Sequence, residues 1–219
     1  MSDGSATRSN PLVDVVAIRS AIRQRVPIAD EMFDTIYPAT QRYRSRVHWT
    51  PIDAALLVSE WLAAVPGRNI LDIGSGVGKA CHVGALATDA TWTGIERDPA
   101  MVRIAIRISR ELGVQSRTRF IRGEALGLDW SPFGGVYLFN PFSEAVYAVR
   151  PTDPIVRQAA YIHEVLAVER KLLTLQAGAR VVTYHGFGGE MPAEFELLES
   201  VAMHDDLACL WSRRATATP

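Results

Sequence analysis

An aspartate and three glycines lie near the centre of this 219-residue sequence, where a predicted strand leads into a predicted helix. The glycines alternate with other residues after the acid: Asp72, Gly74, Gly76 and Gly78. The apolar residues before them are typical of a buried parallel strand. Glycine allows positive φ angles and leaves no Cβ between the backbone and a ligand. In open α/β sheets such turns lie at the carboxyl ends of strands, where ligands bind.

The spacing of the motif argues against two common glycine-rich loops. A phosphate-binding P-loop would need its first glycine at Ile73 and a hydroxyl side chain at Ala80. A dinucleotide fingerprint would need its third glycine at Lys79. An acidic side chain would also repel a pyrophosphate, whereas it would attract a ligand with an ammonium group and a positive sulfur.

A second acid, Glu96, ends the next predicted strand, Thr91–Glu96. It follows Asp72 by 24 residues (96 minus 72), the interval expected for one helix and a returning strand. A carboxylate there can accept hydrogen bonds from both hydroxyls of a ribose. The alternative is an acid that stabilises a helix N-terminus, because Asp98 and Pro99 follow.

An amide, a proline and an aromatic residue follow the predicted strand Gly135–Phe139: Asn140, Pro141 and Phe142. Pro141 ends the strand and fixes the backbone. An amine attacks a methyl group in line only when its lone pair points at that group, and hydrogen-bond acceptors on its protons aim it. The neutral side chain of Asn140 offers such an oxygen. A simple strand-ending turn explains the Asn-Pro pair equally well.

The motif from Asp72 to Gly78 resembles the first motif of the class I S-adenosylmethionine-dependent methyltransferases. The resemblance implies S-adenosylmethionine as the cofactor, with Glu96 on the ribose. It places Glu124 and Ala125, which follow the predicted strand Thr118–Arg122, at the adenine amino group and a ring nitrogen. A solvent-exposed surface residue is the alternative for Glu124. The implied contacts of the loop itself are Asp72, Gly74, Ser75, Gly76 and Gly78.

Asn140-Pro141-Phe142 resembles the Asn-Pro-Pro-Tyr/Phe motif of amino-group methyltransferases, with one proline missing. That resemblance implies that Asn140 holds the target nitrogen and that Phe142 packs on the acceptor or the methyl sulfonium. Residues 48 to 142 also resemble the non-SET histone lysine methyltransferases and their bacterial relatives. The implied reaction is methyl transfer to an amino nitrogen, with a protein lysine as one acceptor. A small-molecule N- or O-methyltransferase and an inactive cofactor-binding regulatory subunit are the alternatives.

Two further residues are candidates for the site. Thr50 lies in a Thr-Pro segment that bacterial methyltransferases of this type carry before the first motif, so it could contact the methionine carboxylate of the cofactor. A simple helix N-cap is the alternative for Thr50. His185 follows the fifth predicted strand in a glycine-rich loop, and the ordinary histidine pKa of ~6.5 would suit a general base. A loop histidine without a chemical role is the other interpretation.

The predicted strands and helices alternate, which indicates an α/β fold. The resemblance implies a doubly wound sheet of seven strands, mostly parallel, that closes with a C-terminal antiparallel hairpin. Helical patterns precede the glycine motif and predict an N-terminal helical extension. We therefore expect a disordered tail over residues 1–10, a helical cap over 11–66 and the methyltransferase domain over 67–219.

Composition limits the other possibilities. A net charge of −1 gives no overall attraction to nucleic acid or to an anionic membrane. Neither a secretion signal nor an apolar stretch of membrane-spanning length is evident, and the two cysteines do not suggest a disulfide scaffold. No Cys/His spacing is typical of a metal site. We expect a cytoplasmic enzyme without a metal, acting on a protein or small-molecule acceptor; the oligomeric state is left open.

Overall fold

The computed structural model describes residues 14–43, 45–141 and 153–215. Five helices precede the first strand: α1 (Val15–Arg23), α2 (Asp30–Asp34), α3 (Ala39–Arg42), α4 (Ser45–His48) and α5 (Ile52–Ala63). Three more alternate with the strands: α6 (Lys79–Ala87), α7 (Pro99–Glu111) and α8 (Pro154–Leu172). Short 3₁₀ helices cover Pro66–Arg68 and Ala125–Gly127.

The described residues form a single seven-stranded sheet. Its strands are β1 (Asn69–Ile73), β2 (Thr91–Glu96), β3 (Thr118–Arg122), β4 (Gly135–Phe139), β5 (Arg180–Tyr184), β6 (Phe195–Met203) and β7 (Asp206–Arg213). Their order across the sheet is β3-β2-β1-β4-β5-β7-β6. The first five strands are parallel, and β7 pairs antiparallel with both β5 and β6. The predicted α/β sheet with a closing antiparallel hairpin is confirmed.

Helices cover both faces of the sheet, as parallel strands require. On one face, α1, α5, α6 and α7 bury a core that includes Ile22, Leu62 and Trp92. On the other face, α8 packs Val168 and Leu172 against β1, β4 and β5. The central strands β1 and β4 are buried on both sides, which explains their largely apolar sequences.

Helix boundaries follow ordinary capping chemistry. Asp98 caps α7 and Asp153 caps α8: each aspartate accepts a hydrogen bond from a backbone N–H in the first turn of its helix. A proline occupies the first position of both helices. The predicted N-cap role of Thr50 is wrong, because Pro51 precedes α5 and no side chain caps it.

The helices α1 to α5 lie within the range predicted as a helical cap, whereas the division into cap and domain stays a prediction. The predicted tail over residues 1–10 lies outside the described residues.

Candidate active site at the carboxyl edge of the sheet

The strand order brings the predicted site residues to one edge in a row. Glu124 follows β3, Glu96 ends β2, the glycine loop follows β1, Asn140 follows β4 and His185 follows β5. Neighbouring strands lie about 4.8 Å apart, so this row extends over roughly 20 Å. Positions far apart in the sequence thus face one ligand-sized region, at the edge where open α/β sheets bind ligands.

The glycine loop presents bare backbone at the centre of this row. The backbone N–H groups of Gly74 and Ser75 both donate to the carbonyl of Ile95, at 3.0 Å each, which anchors the loop to β2. Gly74, Gly76 and Gly78 have φ angles of +72°, +55° and +83°, a region that other residues rarely adopt. A Cβ on Gly76 would meet no atom within 4 Å. The loop can therefore be approached closely by a ligand.

Gly94 of β2 makes room for the loop. A Cβ at this position would come within 2.5 Å of the Ser75 Oγ atom and 2.8 Å of the Phe120 ring. The Ser75 Oγ atom is itself buried and has no hydrogen-bond partner among the described residues. A buried hydroxyl without a partner is uncommon. It offers a hydrogen bond to a ligand seated on the loop.

Asp72 lies beneath the loop, within β1, and is only 4% exposed. Its carboxyl accepts a hydrogen bond from the Cys81 thiol, with an S–O distance of 3.2 Å. Burial raises the pKa of Asp72 from its ordinary value of 3.8 to about 7, and the negative charge of Glu96 adds to this effect while the Cys81 bond opposes it. The side chain is therefore a buried acid poised near neutral pH, and not an exposed loop carboxylate.

Glu96 connects the loop to the start of α7. Its Oε2 atom accepts a hydrogen bond from the Gly76 N–H at 3.1 Å, and its Oε1 atom accepts one from the Asp98 N–H at 2.7 Å. Asp98, and not Glu96, caps α7. Each carboxylate oxygen has a second lone-pair site, so Glu96 keeps acceptor capacity at the edge of the sheet. Its contact with a ribose stays a prediction.

The residues after β3 form the outer end of the row. Glu124 is exposed and precedes the short 3₁₀ helix, without a side-chain hydrogen bond to it. The carbonyl of Ala125 accepts a hydrogen bond from the Trp130 indole at 3.0 Å, which holds this turn in place. The Gly123 N–H donates to the carbonyl of Glu96, so the ends of β2 and β3 stay together. The adenine contacts of Glu124 and Ala125 stay predictions.

Asn140 and Pro141 lie between the glycine loop and the loop after β5. The Asn140 N–H donates to the Gly186 carbonyl at 3.1 Å, and its φ angle is +38°. A Cβ on Gly74 would lie 3.5 Å from the Cβ of Pro141, so the two loops are in contact. Phe142 lies outside the described residues, and its predicted packing on the acceptor stays untested.

His185 stands next to Asn140 along the edge, because Phe139 and Tyr184 pair in register. Its Nδ1 atom lies 2.7 Å from the Asp206 Oδ2 atom, and its ring packs on the rings of Phe139 and Tyr184. Like Asn140, His185 has a positive φ angle, of +57°. Such angles are costly for residues other than glycine and concentrate at functional sites.

A cleft lies between the helices before β1 and the turn that joins β6 to β7. Its volume is about 440 Å³, and apolar atoms make up most of its lining surface, although six of the eight lining residues are polar or charged. The eight residues that line the cleft are Asp30, Glu31, Asp34, Arg42, Ser45, Trp49, Pro51 and His204. Thr50, next to it, is buried, and its hydroxyl lies 2.9 Å from the Tyr137 hydroxyl of β4. The predicted contact of Thr50 with a methionine carboxylate stays a prediction, and in this structure its hydroxyl already has a partner.

Two elements of the site were not predicted from the sequence. The first is Lys79, only 3% exposed, whose Nζ atom lies 2.5 Å from Asp30 and 2.8 Å from Asp34. Burial raises the pKa of Asp34, and Lys79 opposes that rise. Asp30 and Asp34 are four residues apart on one helix face, a spacing that could have indicated a shared partner. The second is Asp206, the first residue of β7, which pairs with His185.

Comparison with known proteins supports the fold. No protein-family model matches the sequence. The uncharacterized protein YjhP of Escherichia coli is 40% identical over 62 residues, which cover 28% of this chain and 25% of that protein. The match thus spans only a quarter of that relative.

Two solved structures illustrate the likeness. A methyltransferase from Geobacter sulfurreducens superposes with a TM-score of 0.61 at 16% identity, covering 91% of this chain and 96% of the other. An RNA methyltransferase from Salinibacter ruber, in complex with S-adenosyl-L-homocysteine, superposes with a TM-score of 0.54 at 20% identity, covering 77% and 95%. The chain therefore has the fold of the class I S-adenosylmethionine-dependent methyltransferases, and the resemblance found in the sequence is confirmed at this level.

The described ranges contain no group of three or more His, Cys, Asp or Glu side chains that could hold a metal ion. None of their helices combines the length and apolar character needed to cross a bilayer.

Proposed function

We propose that this protein is an S-adenosylmethionine-dependent methyltransferase that methylates an amino nitrogen. The observation that carries the proposal is the row of Glu124, Glu96, glycine loop and Asn140 along one edge of a methyltransferase-type sheet. In the order of the row, Glu124 suits the adenine of the cofactor, Glu96 the ribose, and the glycine loop the aminoacyl group with the sulfonium. Asn140 suits the methyl acceptor.

The chemistry of the residues fits this cofactor. When bound, S-adenosylmethionine supplies a positive sulfonium that activates the methyl group and then leaves as a neutral thioether. The chain offers carboxyl groups at Asp72, Glu96 and Glu124, an unpartnered hydroxyl at Ser75, and backbone without Cβ at Gly76. Carboxylates attract a cationic nucleoside and repel a phosphorylated one.

The acceptor end supports an amine. Asn140 follows β4, next to the loop that would hold the sulfonium, and a neutral amide oxygen there can orient an amine by accepting its N–H. The cleft carries Asp30, Glu31 and Asp34 against Arg42 and His204, and Lys79 pairs with Asp30 and Asp34. Its charges largely balance, so the case for an amine rests on Asn140.

Two measurements test the proposal. Calorimetry with S-adenosylhomocysteine tests the cofactor, and transfer of label from methyl-labelled S-adenosylmethionine into an undialysed cell extract tests activity and shows whether protein, RNA or small molecules are methylated. Label in an oxygen ester or ether of a small molecule would support a small-molecule O-methyltransferase instead. Binding without any transfer would support the regulatory alternative.

An Asn140→Ala variant tests the acceptor site. We expect cofactor binding to be retained and label transfer to fall by ~10² or more, the scale for losing a group that positions a reactant. Asn69→Ala is the matched control, because it makes the same change at the opposite end of the sheet, where Asn69 hydrogen-bonds the Pro132 carbonyl. Unchanged transfer in Asn140→Ala would remove this residue from the mechanism.

A further inference from the structure

Asp206 and His185 form an ordered pair at the acceptor end of the row. The Asp206 Oδ2 atom lies 2.7 Å from the His185 Nδ1 atom, while Oδ1 accepts a hydrogen bond from the Leu207 N–H at 2.7 Å. The carboxylate is therefore fixed by its own backbone. The imidazole is fixed on its other side by the rings of Phe139 and Tyr184, at centroid distances of 5.2 Å and 4.4 Å.

The pair lies within reach of the acceptor position. His185 directly follows β5 and Asn140 directly follows β4, with the Asn140 N–H bonded to the carbonyl of Gly186. One strand spacing, about 4.8 Å, separates such neighbours. Asn140 contacts the glycine loop through Pro141, so the imidazole lies on the side of Asn140 away from the cofactor loop. That side is where a methyl acceptor would approach.

We propose that Asp206 is a positioning residue that orients His185 so that the Nε2 atom accepts the proton lost by the methyl acceptor. The inference rests on the proposed methyltransferase function. A carboxylate facing Nδ1 favours the tautomer with the proton on Nδ1, which leaves the lone pair of a neutral imidazole on Nε2. The same carboxylate stabilises the imidazolium that forms when Nε2 takes up a proton.

The proton balance of the step is complete. The acceptor's lone pair forms the bond to the methyl carbon, and the carbon–sulfur bond breaks with its electron pair going to sulfur. The proton leaves the acceptor nitrogen, or oxygen, for His185 Nε2 and passes from there to water. No oxidant, reductant or metal is required.

The charged groups around the His185–Asp206 pair are mostly acidic. Asp205 and Asp206 lie at the turn between β6 and β7. Burial raises the pKa of the neighbouring Tyr184, and the negative charges of Asp53, Asp206 and Asp205 add to this rise. His204 lies 3.0 Å from Asp53 and links the turn to α5, which fixes the position of Asp206. The immediate field is thus predominantly negative, with His204 as the opposing group when it is protonated.

An Asp206→Asn variant tests the positioning role, and Asp205→Asn is the matched control. Asp205 is exposed in the same turn, and its replacement removes the same charge without touching the imidazole. With methyl-labelled S-adenosylmethionine and an undialysed cell extract, we expect Asp206→Asn to lower the maximal rate of transfer ~10-fold or more. Asp205→Asn should stay within about 2-fold of the wild type, and S-adenosylhomocysteine should bind all three proteins alike.

Nitrogen NMR of histidine-labelled protein tests the pair without any acceptor. We expect neutral His185 to carry its proton on Nδ1 in the wild type and in Asp205→Asn, and to lose that preference in Asp206→Asn. A wild-type tautomer with the proton on Nε2 would overturn the inference, as would equal rates of transfer for Asp206→Asn and the wild type. Failure of S-adenosylhomocysteine to bind any variant would instead count against the proposed function, and the NMR result would still decide whether Asp206 orients His185.

Discussion

Replacing Asp72 by asparagine removes a buried carboxyl whose ionisation the fold opposes. Its folded-state pKa is raised from 3.8 to about 7, so between these two values the folded protein holds a proton that the unfolded chain has lost. Stability therefore falls as pH rises through this window, by about 1.4 kcal/mol per pH unit. Across the whole window the loss is about 4 kcal/mol, as an upper estimate.

The assay is urea unfolding of the wild type and Asp72→Asn at a series of pH values from about 4 to 8. The free energy of unfolding of the wild type minus that of the variant should become more negative as pH rises and level off above about pH 7. Asp89→Asn is the control, because its carboxyl is 83% exposed. A difference between the wild type and Asp72→Asn that does not change with pH would refute the claim that Asp72 is a buried acid poised near neutrality.

The same ionisation should affect cofactor binding. The charged form of Asp72 attracts a sulfonium, so S-adenosylmethionine should bind more tightly as pH rises through about 7, while the uncharged sulfur of S-adenosylhomocysteine gains less. Calorimetry at several pH values compares the two ligands. Equal pH dependence for both would show that the Asp72 carboxyl does not sense the charge on sulfur.

Three further variants test other contacts. Gly94→Ala should weaken S-adenosylhomocysteine binding ~10-fold, because its Cβ would come within 2.5 Å of Ser75 Oγ. Calorimetry measures the affinity, and Gly127→Ala is the control because a Cβ there meets nothing within 4 Å. Lys79→Met leaves the buried carboxyl of Asp34 without its partner and should lower the free energy of unfolding by about 3–5 kcal/mol in urea titrations, whereas a change below about 1 kcal/mol would contradict a buried Lys79–Asp34 ion pair. The hydrogen bond that His204 donates to Asp53 raises the pKa of His204, so it stabilises the fold below about pH 6.5 and this contribution is lost as pH rises through the folded-state pKa. Asp53→Asn should therefore have a lower melting temperature than the wild type, and this difference should be larger at about pH 5.5 than at about pH 8.5. An equal difference at both pH values would argue against the His204–Asp53 pair.

Much of the fold could be predicted because each strand of the parallel part carries its own signal. The runs at Asn69–Ile73 and Gly135–Phe139 are mostly apolar, since helices cover both faces of these strands, and Asn69 and Asp72 are the polar exceptions in β1. Glycines and an acid then mark where β1 ends. These local patterns, together with the resemblance, suffice to indicate the type of sheet and to place the candidate residues at one edge.

The partners of the site residues could not be predicted, because they depend on distant packing. Asp72 appeared to be a loop acid, yet the fold places it in β1 beneath the loop, facing Cys81 one turn into α6. Thr50 had the sequence position of an N-cap, but the tertiary contact with Tyr137 takes its hydroxyl instead. The pairing of His185 with Asp206 joins β5 to β7 across the antiparallel end of the sheet, and no local spacing indicates it.

The central claim is that the carboxylates and the glycine backbone at the carboxyl edge of the sheet select a sulfonium nucleoside. Titration calorimetry with S-adenosylmethionine, S-adenosylhomocysteine, NAD and ATP tests this claim most directly. The account predicts saturable binding of S-adenosylmethionine and S-adenosylhomocysteine, with no comparable binding of the two phosphorylated nucleotides. Tight binding of NAD or ATP, without binding of either sulfur-containing nucleoside, would contradict it.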